Sequence, residues 1–131
     1  MRIGAIDSRY PIVALMSNDE NLAQIVYLAV EMPWRLERHF PDGPVLEFSS
    51  PASVRLLVFD DEAVRDRDRG ALLAQIRHDL NQATLLYVAG HYTIENERRA
   101  RTEGAQYYTA KPILGDEFTV ALKGFMSCIQ R

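Results

Sequence analysis

The sequence is poor in cysteine: Cys128 is the only one in 131 residues. No internal disulfide can form, so the fold must rest on its core. No apolar run approaches the ~20 residues needed to span a bilayer, and the segment from Met1 to Tyr10 has neither an apolar h-region nor a small-residue cleavage site. Basic residues are not in excess either. Lys and Arg number 15 against 18 Asp and Glu, a net charge of -3, which leaves no electrostatic case for nucleic-acid binding by this domain. Together these absences lead us to expect a cytoplasmic protein with no membrane contact.

What is present is an ordinary globular composition, 47% hydrophobic and 25% charged, in a length suited to one domain. The central stretch is Val54-Arg55-Leu56-Leu57-Val58-Phe59-Asp60-Asp61, an apolar run that stops abruptly at two carboxylates. A run of this kind reads as a strand buried on both faces of a parallel sheet. Chemistry in such sheets collects at the carboxyl ends of the strands, which is where Asp60 falls.

Residues 1–10 carry little periodicity and are expected to be a lead-in to a domain spanning 11–131. Ile12 to Met16 is a second apolar run. Ser17-Asn18-Asp19-Glu20 then has capping-box spacing, with Ser17 as the cap and Glu20 reaching back. Leu22, Ile25, Val26, Ala29 and Val30 form one helical stripe, which Pro33 ends. Trp34 to Phe40 alternates as a short, partly exposed strand, and Pro41-Asp42-Gly43-Pro44 is a turn cluster. Any crossover helix before Val54 must be short; placing helix over 33–40 and strand over 45–49 instead leaves too little chain for a parallel crossover.

Beyond Asp60, Arg65 to Arg69 is a charged, solvated run, and Leu72, Leu73, Ile76 and Leu80 mark a helix. Leu85 to Gly90 is another buried strand. Thr93 to Glu103 is expected to be a weakly held helix, with only Ile94 and Ala100 to anchor it and Gly104 to close it. Ala105 to Ala110 forms a fifth strand ending at Lys111-Pro112, and Phe118, Ala121, Leu122, Phe125 and Ile129 stripe a last helix. This alternation predicts an α/β fold, a doubly wound five-stranded parallel sheet in the order 2-1-3-4-5.

The polar cluster after the first strand, Asp60 ending the third, a small-residue turn after the fourth and Lys111-Pro112 after the fifth resemble the receiver domain of bacterial response regulators. The likeness covers nearly all of 11–131, and the Lys-Pro pair is its most specific part. It implies that Asp60 is the phosphoacceptor, Lys111 the phosphoryl-binding lysine and Tyr108 the switch aromatic. Three departures accompany these matches. The acid pair that holds Mg²⁺ in the family falls on Ser17 and Asn18, the Ser/Thr switch position falls on Ala89, and the usual Met-Pro becomes Ala63-Val64. Glu62 sits where the family offers a backbone carbonyl to the metal.

Mg²⁺ relies on protein carboxylates and dehydrates reluctantly, so a hydroxyl and an amide are poor replacements. Phosphoryl transfer needs the metal to neutralise developing charge, and the chemical step suffers most. The resemblance therefore implies a non-enzymatic, degenerate receiver in phosphorelay signalling, with Asp60 either an acceptor or a relic carboxylate paired with Lys111. No cofactor is required unless Asp60 is phosphorylated, in which case Mg²⁺ would need Asp19 or Glu62 as substitute ligands. The implied partners are a histidine kinase or downstream signalling protein, met through the Thr93–Glu103 helix, the fifth strand and the last helix, or a second copy of the chain. A rival class is a small flavodoxin-like enzyme or nucleotide binder; against it, Ser17 to Glu20 holds no glycine with which to cradle a phosphate. Asp61 reads as part of a solvated acidic rim, His39, His78 and His91 as surface residues, and Cys128 as inert.

Overall fold

A computed structural model describes residues 10–41 and 47–130. The lead-in, apart from Tyr10, and the turn cluster after Pro41 lie outside the described residues, as does Arg131.

Among the described residues five strands and four α-helices follow one another: β1 (Ile12–Met16), α1 (Glu20–Ala29), β2 (Arg35–His39), β3 (Val54–Asp60), α2 (Asp66–Asp79), β4 (Thr84–Ala89), α3 (Ile94–Thr102), β5 (Ala105–Ala110) and α4 (Gly115–Gln130). Every strand pair is parallel, and the sheet order is β2-β1-β3-β4-β5, as the alternation requires. Between β2 and β3 the described residues form only a 3-10 turn, Pro51–Ser53, in line with the short connection expected there.

Side chains alternate across the sheet with period two and divide the core. Val13, Leu15, Leu56, Val58, Leu86 and Val88 pack with α1 and α4 through Leu22, Val26, Phe118 and Leu122. Ala14, Met16, Leu57, Phe59, Leu85 and Tyr87 pack on the other face with Leu73 and Ile76 of α2, Leu80 just past its end, and Ala100 of α3. Each fully buried large apolar side chain contributes roughly 1.5–3 kcal/mol relative to exposure, so the two layers dominate stability.

Two local expectations are corrected. The first helix is capped by Asp19, whose carboxylate accepts from the N–H groups of Asn21 and Leu22 at 2.9 and 3.2 Å, and not by Ser17. Glu20 does not reach back; it pairs with Arg38 across the rim. The reason is burial, since Ser17 is fully enclosed and its hydroxyl is engaged elsewhere. In α3, Ile94 is half exposed, and the inward residues are Ala100 and the polar Asn96. Thr93 caps that helix by accepting from the N–H of Asn96, and Gly104, at φ 104°, closes it in the left-handed conformation that glycine tolerates.

Candidate functional site at the carboxyl edge of the sheet

The strands converge on Asp60, which is 1% exposed although it carries a carboxylate. It continues the row of Leu56 and Val58, and Ser17 continues the row of Val13 and Leu15, so period-two alternation sends both toward the α1/α4 side. The Ser17 hydroxyl donates to Asp60 Oδ2 at 2.6 Å, and Lys111 Nζ donates to the same oxygen at 2.9 Å. Oδ1 accepts from the N–H of Glu62 at 3.1 Å. Ser17 Oγ in turn accepts from the N–H of Asp19.

Lys111 is the centre of a larger ionic cluster. Its ammonium stands 2.9 Å from each of Asp19 Oδ2, Asp60 Oδ2 and Glu62 Oε1. Burial opposes its charge, but hydrogen bonds to Asp19, Glu62 and Asp60 outweigh that, and its pKa lies well above the usual lysine value. The hydrogen bond from Lys111 is also the main reason Asp19 lies below the usual carboxylate range, with partial burial working against it. The lysine is aimed by its backbone, whose N–H donates to the Ala89 carbonyl at 2.8 Å and ties the end of β5 to β4. Glu62 reaches it by lying over Gly90: a Cβ there would come within 2.4 Å of the Glu62 side chain.

Of the residues singled out from sequence, Asp60, Lys111, Ser17, Asp19 and Glu62 meet in this cluster. Asn18 is exposed and does not join it. Ala89 is fully buried and brings no side-chain donor to the rim. Tyr108 stands apart, stacked on Tyr87 with centroids 5.5 Å apart and planes at 15°, its hydroxyl accepting from Asn96 Nδ2 at 2.9 Å.

Two residues depart from their expected settings. Asp61 is 5% exposed, not solvated. One of its oxygens accepts from the Gly90 N–H at 2.8 Å; the other accepts from Tyr87 OH at 2.9 Å and from Asn96 Nδ2 at 3.4 Å, with the Arg69 guanidinium 3.7 Å away. Burial, followed by the Asp61 charge and hydrogen bond, holds the Tyr87 phenol well above its ordinary pKa, so it stays a donor. The sequence signal was present but ambiguous: a second acid after a buried run looks the same whether it faces water or a partner. His39 is likewise not a surface residue. Its ring packs edge-on against Phe48 and pairs with Glu37 at 2.6 Å.

The Mg²⁺ ion that the resemblance implies does not fit the residues as they are arranged. The ammonium of Lys111 takes the point on which three carboxylates converge, the Ser17 hydroxyl is committed to Asp60, and Asp19 spends its other oxygen on the helix cap. Among the described residues no group of three or more His, Cys, Asp or Glu side chains is arranged to hold a metal ion.

No family model matches the sequence, and no curated protein matches it significantly. Solved structures do match. A response regulator from Thermotoga maritima superposes with a TM-score of 0.67 at 14% identity, covering 90% of this chain and 98% of that one. The signal receiver domain of a putative LuxO repressor protein from Vibrio parahaemolyticus gives 0.68 at 14%, covering 92% and 93%. The chain has the receiver-domain fold. A putative pilus assembly protein from Burkholderia thailandensis shares it, with a TM-score of 0.68 at 18% identity and coverage of 89% and 98%. Because coverage is high on both sides, the receiver fold accounts for nearly all of the described chain. Among the described residues, no helix is long and apolar enough to cross a membrane.

Proposed function

We propose that this chain is a degenerate receiver module of two-component signalling, one that acts through protein-protein contacts with Asp60 phosphorylation impaired or absent. The observation that carries the reading is the saturation of Lys111 by Asp19, Asp60 and Glu62, with Ser17 on Asp60 where a receiver would need a metal-binding acid. An incoming phosphoryl group would meet three carboxylates and one ammonium that is already committed. Ala89 supports the same conclusion, since it supplies no hydroxyl to draw the β4–α3 loop toward a bound anion. The partner surface in this reading is α3, β5 and α4, facing a histidine kinase or a downstream signalling protein in the cytoplasm, and the module is not an enzyme.

One observation favours a second reading. Asp19 and Glu62 already lean to within 2.9 Å of the atom that Asp60 touches, so a rearrangement that withdrew Lys111 would leave three carboxylates facing one point. In that reading Asp60 is a working acceptor, with Asp19 or Glu62 as substitute ligands to Mg²⁺. Incubating the protein with acetyl phosphate and Mg²⁺ and measuring intact mass separates the two. No mass change is expected; a gain of one phosphoryl group that disappears in Asp60→Ala establishes the second reading instead.

A further inference from the structure

The residue that links the strand tips to the α3–β5 surface is Asp61. Side-chain parity sets the direction in which it points. Phe59 packs on the α2/α3 side of the sheet and Asp60 turns to the other, so the next residue, as the chain enters a 3-10 turn, comes back to the α2/α3 side. There Asp61 accepts hydrogen bonds from three separate places: Tyr87 within β4, the Gly90 N–H at the start of the β4–α3 loop, and Asn96 in the first turns of α3.

Asn96 extends the connection. The same Nδ2 that faces Asp61 donates to Tyr108 of β5 at 2.9 Å, and its Oδ1 accepts from Arg99, one helical turn on, at 2.9 Å. Tyr108 stacks on Tyr87, and Tyr92 of the loop meets Tyr108 edge-on at 6.1 Å. A buried carboxylate, a buried amide and three tyrosines thus join β3, β4, the β4–α3 loop, α3 and β5. The helix has little else: Ala100 is its one buried apolar residue.

We infer that Asp61 is a positioning residue, a built-in tether that holds α3 and the Tyr108 ring in one arrangement without any phosphoryl group at Asp60. That the tethered surface meets partners rests on the function proposed above; the tether itself does not. Leaving a buried donor or acceptor unsatisfied is costly, and neutral Asn in place of Asp61 cannot accept at both oxygens from Tyr87, Gly90 and Asn96. The expected consequence is local opening of α3, which has a single buried apolar residue to hold it otherwise.

The test is amide hydrogen exchange on the full chain, without metal or phosphodonor, comparing wild type with Asp61→Asn and Asn96→Ala. In Asp61→Asn, exchange in Gly90–Thr102 is expected to accelerate at least about tenfold while β1 and β3 are unchanged, and Tyr108 side-chain NMR signals should shift. Asn96→Ala should reproduce the effect in α3 and leave Gly90 protected by Asp61; it decides the matter alone if Asp61→Asn fails to fold. Unchanged exchange in α3, or acceleration spread equally over β1 and β3, overturns the tether. Phosphorylation of Asp60 would overturn the proposed function and leave this result standing, so the two failures are distinguishable.

Discussion

Asp60 and Asp61 are chain neighbours at one strand tip, both buried, and they are held in opposite ways. Asp60 is balanced by the Lys111 ammonium and the Ser17 hydroxyl, in a cluster that two further carboxylates join. Asp61 is surrounded mainly by neutral dipoles, a phenol, a backbone N–H and a carboxamide, with the Arg69 guanidinium at a looser 3.7 Å. The first arrangement is ionic and linked to pH. The second is a hydrogen-bond network whose value lies in geometry, since it connects four elements through one side chain. A single step along a strand is enough to separate the two, because successive side chains face opposite sides of the sheet.

The largest effect is expected at Lys111. Lys111→Met leaves the buried Asp60 carboxylate beside Asp19 and Glu62 without a counter-charge, and urea unfolding at pH 7 should show a loss of about 3 kcal/mol. Its pH dependence follows from the direction of the shifts. Lys111 is held above its usual value, so its contribution is fully present below about pH 10 and is lost only as pH rises through the folded value. Asp19 is held below its usual value, so its contribution is present above about pH 4 and is lost as pH falls through the lowered one. The gap between wild type and Lys111→Met should therefore hold across neutral pH and narrow below about pH 4. A gap that widens in acid would mean that Lys111 is held by something other than these carboxylates.

A smaller effect is expected from removing one hydroxyl on each side. Ser17→Ala and Tyr87→Phe each take a donor from a buried carboxylate, and each should cost about 1–3 kcal/mol in the same unfolding experiment. If the two sites are energetically separate, the double variant is additive to within roughly 0.5 kcal/mol; strong coupling would merge them into a single network. The smallest change is expected at Arg101→Ala, which removes a surface pair with Glu97 one turn away in α3 and should cost about 0.3–0.5 kcal/mol, less at high salt.

Much of this architecture was legible in the residues. Continuous apolar runs at β1, β3 and β4 with helical stripes between them specify a parallel sheet, and the strand order follows from short right-handed crossovers. Asp60 and Lys111 could be named because each ends a strand, and the carboxyl ends of parallel strands share one edge. Local patterns failed where a polar side chain had more than one possible partner. The Ser17 hydroxyl could serve the N–H of a helix starting three residues on or a carboxylate 43 residues away, and it serves the carboxylate. Asn96, one of a run of polar residues between Ile94 and Ala100 with nothing local to set it apart, is that helix's inward anchor.

The sequence by itself therefore determined the layers of this protein and which charged groups stand at its working edge, because hydrophobic periodicity and strand ends are local properties of the chain. Only the tertiary structure decided which oxygen meets which proton. The ring of carboxylates on Lys111 and the binding of Asp61 to Tyr87, Gly90 and Asn96 join segments distant in the chain. Hydrogen bonds of that kind depend on distances of a few tenths of an ångström, which come into being only when the strands are side by side.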